Sequence, residues 1–202
     1  MSRIKLPNFM SSPKFQIIAL IIIFTIPVVA ARYFMPTRFV NMGELVQPAR
    51  PIENVVLQGL DKQAVEFSSL KSKWTLIYMG NSACDEDCWQ NLYKMRQVRL
   101  SQGKHMHRVQ YAWLLLDQAV DILALKVRLQ EHPKLQVLRG DAATVKALTR
   151  QFVIEQGAPE DGLNRIYMID PLGNLMMSYP VDADPTGMRK DLERLLKVSQ
   201  IG

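Results

Sequence analysis

Residues 74–95, WTLIYMGNSACDEDCWQNLYKM, hold the only two cysteines of the chain, Cys84 and Cys88, at the point where an apolar strand gives way to a helix. Residues 74–79 form a short β-rich apolar run, Gly80-Asn81-Ser82 is turn chemistry, and Trp89, Leu92, Tyr93, Met95 and Arg96 continue at helical spacing. The two thiols are therefore expected at the start of an amphipathic helix, where unpaired N–H groups favour thiolate. On a helix the C-x-x-x-C spacing puts both sulfurs on one face, with Cα atoms about 6 Å apart, within reach of a disulfide. Two sulfurs on one face also suit Cu(I), which prefers sulfur ligands. Asp85, Glu86 and Asp87 lie between the cysteines; this negative charge disfavours thiolate and suits a bound cation. A purely stabilising disulfide is the plainer alternative, but the loop it closes is too short to constrain the unfolded chain much.

The N-terminal part reads as a membrane anchor. Residues 15–31, FQIIALIIIFTIPVVAA, carry no charged side chain, and Tyr33, Phe34 and Met35 extend the run if Arg32 snorkels. That reaches the roughly 20 residues a bilayer span needs. A small-residue site at Val28-Val29-Ala30 could serve a signal peptidase. The run is long for a signal-peptide core, and Tyr33 and Phe34 suit a membrane interface, so an uncleaved anchor is expected. Arg3, Lys5 and Lys14 precede the span while Arg32 and Arg38 follow it, a bias that puts the N-terminus in the cytoplasm.

Charge distribution argues against nucleic acid. Of the net charge of +6, residues 1–50 supply most, with six Lys or Arg against one acid; residues 51–202 hold 19 basic and 18 acidic residues. A nearly neutral remainder without a basic stripe gives nucleic-acid binding no support. The expected organisation is a cytoplasmic tail over 1–14, a single transmembrane anchor over 15–35, a Pro- and Gly-containing tether over 36–51 and one folded domain over 52–202.

Within that domain the pattern predicts a short hairpin from 52–57 and 65–67, the strand 74–79 and a helix over 84–102. A buried strand over 109–116, a helix over 119–131 stopped by Pro133, a strand over 135–138 and a helix capped by Asp141 come next. A hairpin from 165–170 and 175–179 through Pro171-Leu172-Gly173-Asn174 precedes a last helix over 186–198. Strands alternating with helices and closing in a hairpin and helix give an α/β domain with a mixed sheet flanked by helices. With a cysteine pair at the first strand-to-helix junction, the order is that of a thioredoxin-like fold.

The strand, C-x-x-x-C, helix and the run Ile166-Tyr167-Met168-Ile169-Asp170-Pro171-Leu172-Gly173 resemble the Sco/SenC family, and Leu114-Leu115-Leu116-Asp117 fits the same pattern. Asn41-Met42-Gly43-Glu44-Leu45 with Pro48 and Arg50-Pro51 is similar to single-span bacterial membrane proteins associated with cytochrome oxidase assembly. The resemblance implies a factor of the bacterial inner membrane with its soluble domain in the periplasm. It further implies an oxidase subunit or another assembly factor as partner, and Cys84 and Cys88 as the residues that hold Cu(I) or exchange disulfides. Sco proteins add a histidine just before this hairpin; here Asp161-Gly162-Leu163-Asn164-Arg165 stands in its place, with no histidine. A general thiol-disulfide oxidoreductase and a non-catalytic adaptor with a structural disulfide are the other two readings.

Other candidates carry plainer expectations. His105, His107 and His132 are expected as exposed loop histidines at the pole away from the cysteines, with His105-Met106-His107 a weak metal site at most. Met79 is expected to be a packed strand-end residue. Asp117 should lie near the cysteine loop, as a turn residue or as a charge acting on the thiols.

Overall fold

The computed structural model describes residues 13–34, 41–118, 120–199 and 201. The tail expected over 1–14 and the tether expected over 36–51 fall partly outside these, at 1–12 and 36–40. The chain divides into two compact units, residues 1–40 and 41–202.

The first unit contains α1 (Pro13–Phe34), 22 residues or about 33 Å of helix, enough for a hydrocarbon core of about 30 Å. Leu20, Ile23, Phe24, Ile26 and Val28 are all exposed, so the helix is apolar on every side, as a membrane span is. Its polar Thr25 donates its hydroxyl to the Ile21 carbonyl at 2.6 Å and needs no outside partner. Among the described residues this helix alone is long and apolar enough to cross a bilayer.

The second unit is built on a mixed sheet of β1 (Glu44–Pro51), β4 (Trp74–Gly80), β5 (Val109–Leu115), β6 (Leu135–Leu138), β7 (Ile166–Ile169) and β8 (Asn174–Tyr179), in the order β1-β8-β7-β4-β5-β6. β4, β5 and β6 run parallel, while β7 joins β4 and β8 joins β7 antiparallel. A separate two-stranded ribbon, β2 (Val56–Gln58) with β3 (Ala64–Glu66), comes between β1 and β4 in the chain. Among the described residues four α-helices accompany the sheet in this unit: α2 (Glu86–Leu100), α3 (Ile122–Arg128), α4 (Ala142–Thr149) and α5 (Pro185–Val198).

Alternation along the central strands explains the two cores. Leu76 and Tyr78 of β4, Tyr111 and Trp113 of β5 and Ile166 and Met168 of β7 point to one face, where α2, α3 and α5 cover them with Leu92, Leu125 and Leu192. Ile77, Met79, Ala112, Leu114, Tyr167 and Ile169 point to the other, against Leu148 of α4 and Phe67, Leu70 and Phe152. Both faces being buried, these strands read as continuous apolar runs. The arrangement is the expected thioredoxin-like fold.

Three expectations need correction. Residues 44–51, expected within the tether, form edge strand β1 paired antiparallel with β8. Pro48 and Pro51 read as linker residues, yet an edge strand tolerates proline because part of its backbone needs no ladder partner. The helix expected from 84 begins at Glu86, so Cys84 precedes the N-cap and only Cys88 is helical. The helix expected over 119–131 is regular only over α3, with a 3-10 turn at Leu129–Glu131.

β1 is also held by a carboxylate. Asp191 of α5, 2% exposed, accepts hydrogen bonds from the backbone N–H of Met42 at 2.8 Å and of Gly43 at 3.0 Å, and from the Tyr179 hydroxyl at 3.3 Å. A Cβ on Gly43 would stand 2.4 Å from Met177 Sδ, so only glycine lets the chain approach so closely. Asp191→Ala leaves three donors without this acceptor and should cost roughly 3 kcal/mol. Urea unfolding of the detergent-solubilised chain should show a lower midpoint at unchanged slope; an unaltered midpoint would contradict the clamp.

Candidate functional site

β4 ends at Gly80, whose carbonyl accepts from the Leu116 N–H at 3.1 Å, so the loop that follows starts from a fixed point beside the end of β5. Asp117 then holds the loop: its Oδ1 accepts from the Ser82 N–H at 2.7 Å and its Oδ2 from the Ser82 hydroxyl at 2.5 Å. Asp85 is the N-cap of α2 and accepts from the Cys88 N–H at 3.0 Å. Between these two anchors Cys84 and Cys88 are joined as a disulfide, with Cα atoms 5.3 Å apart. The sulfurs come together although Cys84 lies outside the helix, because the capping turn folds it back over the first turn.

The two cysteines differ in access. Cys88 is 2% exposed and packs in the core with Tyr78 and Leu92, whereas Cys84 is half-buried at the surface. Both open on a cavity of about 270 Å³ lined also by Tyr78, Asp85, Pro159, Glu160, Gly162 and Asn164. The 157–165 loop thus forms one wall of the site, as a thioredoxin-like arrangement requires. Glu160 is held by the Thr149 hydroxyl, which donates to its Oε1.

Asn164 fastens that wall. Its backbone lies in the left-handed region at φ 46°, its Oδ1 accepts from the Tyr78 hydroxyl at 2.9 Å, and its carbonyl accepts from Asn91 Nδ2 at 2.8 Å. Burial first, then the charges of Asp85 and Asp87, push the Tyr78 phenol up to about 12, so it remains a donor at neutral pH. Gly80 makes room for it: a Cβ there would meet the Tyr78 hydroxyl at 2.7 Å.

The remaining candidates fall as follows. Asp117 sits at the cysteine loop. Met79 is buried on the opposite face of the sheet, among Ile77 and Leu114, as a packed strand-end residue. His105 and His107 lie in the 3-10 turn Gly103–Arg108 beyond the C-terminal end of α2, the pole away from the cysteines. His132 corrects the expectation of exposure, being 6% exposed, with ring centroids 6.2 Å from Trp89 and 6.5 Å from Tyr111. It does not line the disulfide cavity.

Tyr78 and Asn91 were not visible as site residues in the sequence. A signal existed for Asn91: it falls on the helix face of Cys88, Leu92, Met95 and Val98, an amide where periodicity calls for an apolar side chain. Tyr78, in an aromatic-rich buried strand, carried none.

Known proteins resemble this chain in sequence and in fold. The family described as transmembrane-like, thioredoxin-like, C-terminal domain matches residues 74–199. An SCO2-like protein of Rickettsia conorii is 27% identical over 158 residues, 69% of this chain and 77% of the relative. The structure of Bradyrhizobium japonicum ScoI with copper bound is similar at a TM-score of 0.58 and 25% identity, over 71% of this chain and 98% of that one. BsSco, described as a member of the Sco family of cytochrome c oxidase assembly proteins with a disulfide switch, shares the fold at a TM-score of 0.58 and 14% identity, over 75% and 96% of the two chains.

The packing beside Trp89 carries a pH dependence. Burial, then the Arg96 charge, hold the His132 imidazole below its ordinary value, against a smaller opposite effect of Glu131. A histidine with a depressed folded pKa is neutral in both states above about 6.5; below that the unfolded chain takes up the proton first, so stability falls as pH falls. Between pH 7 and pH 5.5 the urea midpoint should therefore drop, and His132→Gln should flatten the drop. Parallel profiles for the two proteins would refute the assignment.

Proposed function

The chain belongs to the family of transmembrane-like, thioredoxin-like C-terminal domains, with a Sco-like fold, and from that premise we propose that it is a membrane-anchored factor assisting cytochrome c oxidase assembly. In this reading α1 is the single anchor, residues 1–14 lie in the cytoplasm and the folded domain works in the periplasm. Cys84 and Cys88 handle Cu(I), or the thiols of a subunit that receives copper. The observation that carries the proposal is the disulfide between a half-buried and a fully buried cysteine that both line a cavity.

Both chemistries suit the residues present. Once reduced, the pair offers two soft sulfur donors within one turn of chain, and the exposed Asp85, Glu86 and Asp87 favour a cation over an anion there. Among the described residues no histidine lines the cavity, so the donor set suits Cu(I), which tolerates low coordination, better than Cu(II), which prefers nitrogen and oxygen ligands in tetragonal array. For thiol exchange, the reduced Cys84 attacks a disulfide of the subunit and forms a mixed disulfide, releasing one subunit thiolate. Cys88 then displaces the second subunit thiolate. Two electrons pass to the subunit, which leaves as a dithiol ready for copper, while Cys84 and Cys88 return to the disulfide. Burial of Cys88 reserves it for that second step.

Reduced full-length protein in detergent should bind one Cu(I), and Cys84→Ser or Cys88→Ser should abolish it; Cu(II) should be held far more weakly. In cells the two single variants and the double variant should each lose oxidase assembly to the same degree, since the sulfurs act as a unit. A reduced protein that binds no Cu(I) but cycles reversibly between disulfide and dithiol would reassign it as a thiol-disulfide oxidoreductase. Full oxidase activity in the double variant would leave an adaptor with a structural disulfide.

A further inference from the structure

Asn91 is a buried amide on a helix face otherwise made of Cys88, Leu92, Met95 and Val98. It is 0% exposed, and among the described residues its Oδ1 meets no hydrogen-bond donor, so the carbonyl end of the amide is buried unmet. A leucine would pack there without that penalty. The amide makes one polar contact, through Nδ2 to the Asn164 carbonyl at 2.8 Å. Asn164 in turn uses its side chain on Tyr78, whose phenol reaches it only because residue 80 has no Cβ. One residue of the cavity wall is thus bonded both to the strand leading into the disulfide and to the helix leading out of it.

We propose that Asn164 is a positioning residue that, through Tyr78 and Asn91, stabilises the disulfide form of the Cys84–Cys88 pair relative to the dithiol and so sets its reduction potential. The inference rests on the reading above, in which the pair cycles between the two forms. Reduction breaks the S–S bond, and the sulfurs separate from about 2 Å to non-bonded distance. Cys84, half-buried in a loop held by Asp117 and Asp85, and Cys88, buried in the core, must share that movement. Cys88 stands three residues before Asn91 on the same helix face, so displacing its turn pulls on the bond to Asn164. Tyr78, packed in the same core as Cys88, resists from the strand side. The clamp fits the closed geometry of the oxidised pair, and its loss favours the dithiol.

A purely structural contact would weaken both redox forms alike and leave the potential unmoved, whereas a contact stronger in one form shifts it by the difference. The test is equilibration of the full-length protein in detergent with dithiothreitol buffers. The reaction is protein disulfide plus dithiol reagent giving protein dithiol plus cyclic disulfide, with two electrons transferred and no other reactant. Tyr78→Phe should raise the equilibrium constant for reduction about tenfold, a shift of about 30 mV. Asn164→Gly keeps the left-handed backbone and the carbonyl that Asn91 uses, and should match Tyr78→Phe. The double variant should show no further shift, because both changes remove the same hydrogen bond. Asn91→Leu should move the constant in the same direction independently; should it fail to fold, the two milder variants decide.

Variants of lowered thermal stability whose constants lie within twofold of the parent would overturn the inference while leaving the functional reading intact. A parent disulfide that dithiothreitol cannot reduce reversibly would overturn the exchange reading, and this inference with it.

Discussion

The cysteine site depends on β4 being hydrogen-bonded along both edges. Its seven residues pair in parallel with β5 from Trp74 opposite Val109 to Gly80 opposite Leu115, and four of them pair antiparallel with β7. A strand locked on both sides cannot slide, and a slip of one residue would exchange the faces of Tyr78 and Met79. The phenol would then enter the opposite core, against Leu114 of β5 and Leu148 of α4, and lose Asn164. The same pairing sets Tyr78 opposite Ile166, two residues beyond Asn164, which is why the strand and the cavity wall meet at that point. The loop carrying Cys84 thus leaves from a position fixed by the sheet rather than by its own sequence.

Beyond Gly80 the geometry is carried by carboxylates. Asp117 takes both polar hydrogens of Ser82, and Asp85 takes the Cys88 N–H. The second contact changes what the helix end can do. N-terminal N–H groups and the positive end of the helix dipole would favour a thiolate, but here the cap occupies one of those donors and Glu86 and Asp87 answer the dipole in the first turn. The anionic form of the sulfur therefore gains less from α2 than position alone suggests. A disulfide is neutral and a sulfur-bound cation offsets the acids, so both are better suited to this loop than a free thiolate.

The sequence carried the sheet and helices through periodicity and punctuation: continuous apolar runs for β4 and β5, Asp141 before α4, and the Pro171-Leu172-Gly173 turn between β7 and β8. Asp121 and Asp184 cap α3 and α5 in the same way. β1 is hidden because prolines look alike in a linker and in an edge strand, and only its pairing with β8 separates the two. The cysteine pair was legible, since no other residues could make that bond. The cavity wall was legible only by its position in the fold. The hydrogen bonds that join it to β4 and α2 cross 86 and 73 residues of chain, and no local pattern encodes contacts of that range. The burial of His132 escapes the sequence for a related reason: it closes a helix beside Pro133, as surface residues often do, yet Trp89 and Tyr111 come from distant elements to cover it.

Strand β1 and the cavity wall share an anchor. Arg165, the residue after Asn164, is 7% exposed and donates to the Glu44 carboxylate on β1 and, at 3.0 Å, to the Ser178 hydroxyl on β8. The guanidinium is buried while the Glu44 carboxylate faces solvent, so the pair ties the edge strand to the residue that follows Asn164. Departure of β1 from the sheet edge would break this contact next to Asn164. The Asp191 clamp on Met42 and Gly43 opposes the same movement from the helical side. The residues read as a linker are in this way part of what holds the loop against the disulfide.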